Sequence, residues 1–378
     1  MSTISWTEPG TDTDARTVRH ARWHSESAAP APRRVVVADD RMSAATAHRL
    51  ACEGTALLWR GDYHHARRLL AAVGRRVDRK PPRTGDSPAE SFHLYRRARR
   101  HRAQVLGRVL VLLTHDHSLT LRRAPDVREA CAGAYGPPRG AMAVSLRELL
   151  GVIGAHQWRL KGVEVPALGA RVHPHYGVFS PVRGEYVDLV ATAPLPVPAP
   201  RTAFDLGTGT GVLAAVLARR GCGHVTATDI GPRALDCARD NARRLGLADR
   251  IDVTGPTLFP EGRADLVVCN PPWLPARPSS ALEQGVYDPG GAMLHAFLSG
   301  LADRLEPGGE GWLVLSDLAE RLELRTRGEL LSAIGRAGLR VRGRIDAKPR
   351  HHRATDRDDP LHAARSAETT SLWRLTHS

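Results

Sequence analysis

The second half of the chain alternates short apolar runs with stretches of helical periodicity. The apolar runs predict β-strands at residues 202–206, 224–229, 250–255, 264–270, 311–317, 339–346 and 369–376. The patterns between them predict helices, among them 212–220, 232–246, 293–306 and 319–337. Because strands and helices alternate, we predict an α/β fold with a doubly wound, mainly parallel sheet. The last two strands are separated by a polar segment that predicts a mobile loop, so we expect them to pair antiparallel at one edge.

The first half has a different pattern. Residues 1–38 are rich in Ser, Thr, Ala and Pro and have little apolar periodicity, which predicts a disordered tail. From residue 40 onward apolar residues recur at helical spacing, and residues 89–114 have the pattern of one long helix. We therefore predict a tail over 1–38, a smaller, mainly helical basic domain over 39–165, and the α/β domain over 166–378.

The positive charge is concentrated in the first half of the chain. The formal net charge is +14, and residues 1–200 hold 30 Lys and Arg against 18 Asp and Glu, whereas residues 201–378 hold 24 against 22. Residues 60–102 contain 13 basic and 4 acidic side chains. Such a surface is typical of nucleic-acid binding. The alternative is that these arginines lie on solvated helix faces.

Aromatic residues are interleaved with this basic segment. They are Trp59, Tyr63, Phe92 and Tyr95. Base stacking combined with phosphate neutralisation is how proteins bind RNA and single strands. We therefore predict a substrate-binding surface that favours RNA, with these candidate side chains: Arg96, Arg97, Arg99 and Arg100.

Composition excludes several other classes of protein. No apolar run is long enough to cross a membrane, and the polar, acidic start does not resemble a secretory signal. The five cysteines form no C-x-x-C pair, and the close histidine pairs (64–65, 115–117, 173–175 and 351–352) have no partner at ligand spacing. We expect a cytoplasmic protein without a metal site. The oligomeric state is left open.

A glycine-rich loop follows the strand at 202–206. Its residues are Asp205, Gly207, Thr208, Gly209, Thr210 and Gly211. Glycines allow a sharp turn and a close approach of the backbone to a ligand. Asp229 ends the next strand, where an acid binds ribose hydroxyls in nucleotide folds, and Ile230 follows it. No Lys-Ser/Thr pair follows the loop, so it is not a phosphate-binding P-loop; a dinucleotide site remains the alternative.

A second motif, Asn270-Pro271-Pro272-Trp273, ends the strand at 264–270. Ligands bind beyond the carboxyl ends of strands in such sheets. Two prolines remove two amide donors, which leaves the Asn270 side-chain oxygen and the Pro271 carbonyl as acceptors. Two acceptors and a flat aromatic face suit a planar –NH2 group. We expect the nitrogen to become more tetrahedral as it attacks a methyl group, so that no strong base is needed.

The two motifs together resemble the class I S-adenosylmethionine (SAM) methyltransferases that carry an Asn-Pro-Pro-aromatic signature. The resemblance covers about residues 170–378 and implies a Rossmann-like, seven-stranded sheet. It implies that the loop at 207–211 passes beneath the methionine part of SAM and that Asp229 holds its ribose. Many members have an acid after the third strand, but residues 254–257 are Thr-Gly-Pro-Thr here. We therefore expect backbone groups or Thr257 to contact the adenine.

The resemblance leaves two kinds of methyl acceptor; we predict a nucleic-acid base, adenine N6 or similar, and keep the N5 nitrogen of a protein glutamine as the alternative. Small-domain adenine-N6 and ribosomal-RNA base methyltransferases share both motifs, and the basic first half favours a nucleic-acid base. Release-factor glutamine methyltransferases carry a Pro-Arg-Pro-Glu-like stretch before the loop, and residues 181–185 are similar to it, although Trp273 replaces their usual tyrosine. By this resemblance we expect three further substrate contacts: Phe179, Arg183 and Glu185. A SAM-fold binding module without catalysis is the non-enzymatic alternative.

Overall fold

The computed structural model describes residues 2–9, 16–280, 282–349 and 355–378. The chain divides into two compact units. The first consists of residues 1–84 and 93–157, and the second of residues 85–92 and 158–378. The larger segment of the second unit begins at residue 158, and the sequence predicts a domain boundary at residue 166.

The first unit contains a six-stranded sheet in the order β1-β2-β6-β5-β4-β3. Its strands are β1 (Thr3–Pro9), β2 (Arg16–Trp23), β3 (Arg34–Ala38), β4 (Thr55–Trp59), β5 (Val109–Leu113) and β6 (Met142–Ser145). The helices up to residue 161 are α1 (Ala44–Cys52), α2 (Tyr63–Asp78), α3 (Pro88–Leu106), α4 (Arg128–Tyr135) and α5 (Leu146–Lys161). Strands β3, β4 and β5 pair in parallel, and β5 pairs antiparallel with β6.

This sheet corrects two predictions for the first half. The prediction of a disordered tail is wrong for the described residues, because they include the strand β1, in which Ile4 and Trp6 are only 1% and 5% exposed. Ser and Thr alternate with these two residues and give the period-2 pattern of a half-buried strand, which the polar composition obscured. Two parts of the predicted tail, residues 1 and 10–15, lie outside the described residues.

The prediction of a mainly helical domain over residues 39–165 is wrong as well, because the first unit contains a six-stranded sheet. The long helix predicted over 89–114 ends at Leu106, and its apolar second half forms β5. The apolar residues at 55–59 form β4, and all five are buried. Residues 143–145 belong to β6, and the helix α5 begins directly after them at Leu146. A short apolar run that is buried on both faces has no amphipathic period, so periodicity does not distinguish a strand from a helix there.

The second unit is built around a seven-stranded sheet. The strands of this sheet are β9 (Thr202–Leu206), β10 (His224–Thr228), β11 (Ile251–Thr254), β12 (Ala264–Cys269), β13 (Leu305–Ser316), β14 (Leu339–Ala347) and β15 (Thr370–His377). Two further strands, β7 (Val163–Val165) and β8 (Ala170–Val172), form a separate two-stranded sheet. The helices of the second unit are α6 (Glu185–Thr192), α7 (Val212–Arg219), α8 (Pro232–Arg244), α9 (Ala292–Leu301), α10 (Leu318–Arg321), α11 (Arg327–Arg336) and α12 (His362–Ala367).

The strand order confirms the predicted α/β fold. The order is β11-β10-β9-β12-β13-β15-β14, the first five strands are parallel, and β15 runs antiparallel to both neighbours. Successive residues of β9 face opposite sides of the sheet: Ala203 packs in the core with α6 and α7, and Phe204 packs in the core with α9 and α11. The helix predicted at 319–337 is two helices, because Thr326 and Glu329 form a capping box that begins α11.

No helix among the described residues is long and apolar enough to cross a membrane. The polar segment before β15, which the sequence predicts to be a mobile loop, includes the short helix α12. Residues 350–354 of that segment lie outside the described residues.

A buried carboxylate ties the last strands together. Glu310 on β13 is fully buried and accepts hydrogen bonds from Arg374 Nε (2.8 Å), Arg374 Nη2 (2.7 Å) and Trp312 Nε1 (3.0 Å). Arg342 on β14 also donates to Glu310. Burial alone raises the pKa of Glu310, but the hydrogen bonds from Arg374 and Trp312 outweigh it and hold the pKa below its usual value. Glu310 therefore stays charged and depends on its arginine partners.

We predict that Arg374→Ala lowers the free energy of unfolding of the second unit by about 3 kcal/mol, because it removes the main partner of a buried charge. Urea unfolding measures this difference. Arg340→Ala, which removes an exposed arginine of β14, is the matched control and should change stability by less than about 0.5 kcal/mol. Equal losses in the two variants would contradict the role assigned to the buried carboxylate.

Candidate active site

The candidate residues follow three adjacent strands of the parallel sheet. Strand β9 lies between β10 and β12, and Leu206 at its end is level with Thr228 and Cys269. The glycine loop, Asp229 and Asn270 come directly after these strand ends. Because parallel strands end at the same edge, the sheet brings the two sequence motifs to one side of the second unit.

The glycine loop has a backbone that requires glycine. Gly207, Gly209 and Gly211 have φ values of +70°, +54° and +78°, a region that other residues rarely adopt. A Cβ at position 207 would also collide with the Met293 side chain, and one at position 211 would lie 3.2 Å from the backbone of Ala238. The Thr208 amide donates to the Thr228 carbonyl at 2.8 Å and joins the loop to β10.

Asp205 lies beneath this loop. Its carboxylate accepts hydrogen bonds from the Thr208 hydroxyl (2.6 Å) and the Ala214 amide (2.9 Å), and the residue is 1% exposed. Burial raises the pKa of Asp205 to about 6. These bonds connect the loop to the start of α7, so the structure gives Asp205 a positioning role. The direct cofactor contact expected for it stays a prediction.

Asp229 lies closer to the surface than Asp205. Its carboxylate is half-buried and accepts hydrogen bonds from the Gly209 amide (3.1 Å) and the Gly231 amide (2.8 Å). The next residue, Ile230, is 74% exposed, which is unusual for a large apolar side chain. A carboxylate beside an exposed apolar surface fits a ligand that has ribose hydroxyls and a flat ring.

The segment after β11 packs directly behind Asp229. The Thr257 amide donates to the Asp229 carbonyl at 3.3 Å, and a Cβ at Gly255 would collide with the same carbonyl. The Thr257 hydroxyl donates to the Phe259 carbonyl at 2.8 Å. The hydroxyl hydrogen is therefore used within the segment, and the hydroxyl oxygen and the backbone remain as the groups expected to contact an adenine ring.

The second motif contains an internal hydrogen bond that the sequence did not predict. Trp273 Nε1 donates to Asn270 Oδ1 at 2.9 Å. The bond fixes which end of the Asn270 amide is the acceptor, because an indole N–H only donates. A carbonyl oxygen has two lone pairs, so Asn270 Oδ1 can accept a second hydrogen bond. Trp273 therefore orients Asn270 in addition to presenting a ring.

Asn270, Pro271 and Trp273 line an open cavity whose empty space, including the solvent at its mouth, is about 580 Å³. Phe179 and Arg183, predicted as substrate contacts, line the same cavity, and Pro272 does not. Further lining residues, which the sequence did not single out, include Tyr186, Tyr287 and Arg365. Arg365 comes from the polar segment predicted to be a loop, where nothing in the pattern marked it.

Arg183 is held against Trp273 by buried carboxylates. Its guanidinium carbon lies 5.2 Å from the centroid of the Trp273 ring. Its Nη2 donates to Glu368 Oε2 at 3.0 Å, and its Nε lies 3.7 Å from Glu185 Oε1. Glu368 is fully buried and also accepts from the Ser316 hydroxyl at 2.6 Å. Glu185 is 5% exposed and supports Arg183 from behind, and it is not among the residues that line the cavity.

The basic segment of the chain differs from its prediction. Arg97, Arg99 and Arg100 are exposed, but Arg96 is only 9% exposed and does not belong to an open surface. The interleaved aromatic residues Trp59, Tyr63 and Phe92 are buried at 2%, 4% and 1% exposure. These three are core residues and do not form the stacking surface that the sequence predicted, whereas Tyr95, the fourth residue of the predicted set, is half-buried.

The histidine pairs do not form a metal site within the described part of the chain. No group of three or more His, Cys, Asp or Glu side chains suited to a metal occurs there. His173 Nδ1 lies 2.7 Å from the Arg159 carbonyl, and His175 Nε2 lies 3.2 Å from Asp240 Oδ2. The pair at 351–352 lies outside the described residues.

Comparison with known proteins finds similarities within the second unit. Residues 169–327 match the family model of the methyltransferase small domain. The chain is 39% identical over 155 residues to the release factor glutamine methyltransferase of Cereibacter sphaeroides, which covers 39% of this chain and 51% of that protein. It is 39% identical over 104 residues to the ribosomal protein L11 methyltransferase of Vibrio vulnificus, covering 27% of this chain and 34% of that protein.

The chain thus spans about half the length of the first relative and about a third of the second. A methyltransferase structure from Pyrococcus furiosus aligns with a TM-score of 0.39 and 20% identity, over 56% of this chain and 90% of that one. Residues 169–327 of the second unit are therefore similar in sequence to methyltransferase domains.

We predict that Asp229→Ala weakens SAM binding by about 10- to 100-fold, because hydrogen bonds to a charged group contribute about 1.5–3 kcal/mol. Calorimetry with the folded variant measures the dissociation constant. Asp252→Ala removes a more exposed aspartate of the neighbouring strand β11 and should leave the affinity unchanged. Unchanged affinity in folded Asp229→Ala would exclude Asp229 from the cofactor site.

Proposed function

We propose that the chain is a SAM-dependent N-methyltransferase that methylates a planar carboxamide nitrogen, in first place the side chain of a protein glutamine. The observation that supports this most directly is the cavity that Asn270, Pro271 and Trp273 line together with Arg183 and Phe179. It opens beyond the end of β12, adjacent to the strand that carries the glycine loop. SAM supplies an electrophilic methyl group at such a site.

The residues of the chain have distinct parts in this proposal. Asn270 Oδ1 and the Pro271 carbonyl accept the two hydrogens of the substrate –NH2 group. Withdrawing these hydrogens from the plane lets the nitrogen lone pair point at the methyl group. Trp273 keeps Asn270 in the accepting orientation through its 2.9 Å hydrogen bond. The surrounding aromatic side chains exclude water, which would compete for the same acceptors.

Two observations favour a protein substrate over a nucleic acid. The first relative reported above is a release factor glutamine methyltransferase, and Arg183 from the stretch that resembles that family lines the cavity. Three of the four aromatic residues that would stack bases in the basic segment are buried, and the fourth, Tyr95, is half-buried. A nucleic-acid base is the second candidate, because Arg97, Arg99 and Arg100 remain an exposed basic group on α3.

We predict that Asn270→Ala lowers kcat about 10²- to 10³-fold and leaves SAM affinity unchanged, because the lost acceptor acts mainly in the transition state. The assay is transfer of tritiated methyl from SAM to a cell extract, followed by protease, RNase and DNase treatment to identify the labelled polymer. Trp273→Phe keeps a ring but loses the indole N–H, so it should reduce kcat less. Normal methylation by Asn270→Ala would refute the mechanism, and protease-resistant label would refute the protein substrate.

The nucleic-acid candidate predicts a specific salt dependence. Affinity for single-stranded RNA should fall with a log–log slope of about −0.7 per phosphate contacted. On the protein-substrate proposal, wild type and the triple variant Arg97→Gln, Arg99→Gln, Arg100→Gln should bind labelled RNA equally weakly. The control replaces three exposed arginines of the second unit by Gln: Arg263, Arg336 and Arg340. A steep slope that only the α3 variant loses would favour nucleic acid instead.

A further inference from the structure

Arg365, on the short helix α12, is a buried cation whose hydrogen bonds are incomplete. The residue is 7% exposed and lines the substrate cavity. Its Nε lies 3.1 Å from Asp359 Oδ2, but the geometry is not that of a hydrogen bond, and Nε has no hydrogen-bond partner among the described residues. A guanidinium has five N–H donors. Burying such donors without acceptors destabilises a protein, so a purely structural role explains Arg365 poorly.

Arg183, the other arginine that lines the cavity, differs from Arg365 because its guanidinium has partners within the protein. Its Nη2 is hydrogen-bonded to Glu368, and its guanidinium packs on Trp273. The protein itself therefore uses the donors and the flat face of Arg183. The ion pair with Asp359 is the only polar side-chain partner found for the Arg365 guanidinium within the described part of the chain. An acceptor from a bound molecule would complete its hydrogen bonds.

The charges around the two arginines indicate what kind of acceptor fits. Glu185 and Glu368 lie against Arg183, and Asp359 lies against Arg365. Three carboxylates thus face two guanidinium groups, so the cluster has no unbalanced positive charge for a phosphate to neutralise. A neutral carbonyl oxygen adds hydrogen bonds without adding negative charge. The carbonyl groups of a peptide and of a glutamine side chain have this property.

We propose that Arg365 is a substrate-binding residue that donates hydrogen bonds to a carbonyl oxygen of the peptide that carries the methylated glutamine. This inference rests on the proposed function and names the group that the substrate presents opposite Asn270. It makes α12, the helix that carries Arg365, part of the substrate site. Asn270 and Pro271 accept from the nitrogen side of the substrate, and Arg365 donates to an oxygen. The cavity therefore selects for a group with both.

The first test is binding of a defined probe, N-acetylglutamine methylamide, to the full chain in the presence of S-adenosylhomocysteine. We expect the probe at millimolar concentration to raise the Tm of wild type and of Arg357→Gln, an exposed arginine of the same segment. It should not raise the Tm of Arg365→Gln. An equal rise in Arg365→Gln, or no rise in wild type, would overturn the inference. A rise with inorganic phosphate in place of the amide would overturn the carbonyl assignment and favour a nucleic acid.

The second test separates binding from folding. In the tritiated-methyl assay we expect Arg365→Gln to lower kcat/KM about 10- to 100-fold at unchanged SAM affinity, since it removes a hydrogen bond to a charged donor. Arg365→Lys keeps the ion pair with Asp359 but loses the forked donors, so it should keep the stability of wild type and only part of the rate. Full activity of either variant would refute a substrate contact.

The two tests distinguish this inference from the proposed function. If the probe binds through Arg365 but no polymer accepts the methyl group, the proposed function fails and the carbonyl site stands. If protein is methylated and Arg365→Gln is as active as wild type, the proposed function stands and the inference fails. A loss of Tm in Arg365→Gln, with full probe binding by the remaining folded protein, would leave Arg365 a structural role only.

Discussion

The parallel pairing of β9 between β10 and β12 is the constraint on which the site depends. It brings three chain segments, which lie far apart in the sequence, to one edge of the sheet. The loop after β9 is held in its unusual backbone conformation by Asp205 from below and by the Thr208 amide bond to β10. The order of the strands therefore positions both the groups expected to hold SAM and those expected to hold the methyl acceptor.

The sequence predicted this half well because its signals are local. The strand at 202–206 and the start of the helix at 212 have the predicted bounds, since an apolar run followed by glycines permits few other structures. The motif at 270–273 also lies at the end of its predicted strand. The contacts within the site were less predictable. The hydrogen bond between Trp273 and Asn270 depends on the conformation of the Trp273 side chain. Arg365 lines the same cavity although it lies far from Trp273 in the sequence.

The first half shows where periodicity fails. Its central strands are buried on both faces, so they lack alternation, and its first strand is masked by Ser and Thr. Burial also decides what a basic, aromatic-rich segment means. Trp59, Tyr63 and Phe92 are buried core residues, and Arg96 is buried as well. Only three arginines of the group, Arg97, Arg99 and Arg100, are exposed. The composition suggested base stacking, but most of these side chains serve packing.

The central claim is that the glycine loop and Asp229 place the donor so that it faces the cavity of Asn270 and Trp273. A crystal structure of the full chain with S-adenosylhomocysteine measures this directly. The account predicts that the ribose hydroxyls bond to Asp229, that the homocysteine part lies over residues 207–211, and that the sulfur faces Asn270. Binding with the sulfur turned away from that cavity, or with Asp229 out of contact with the ribose, would contradict the account.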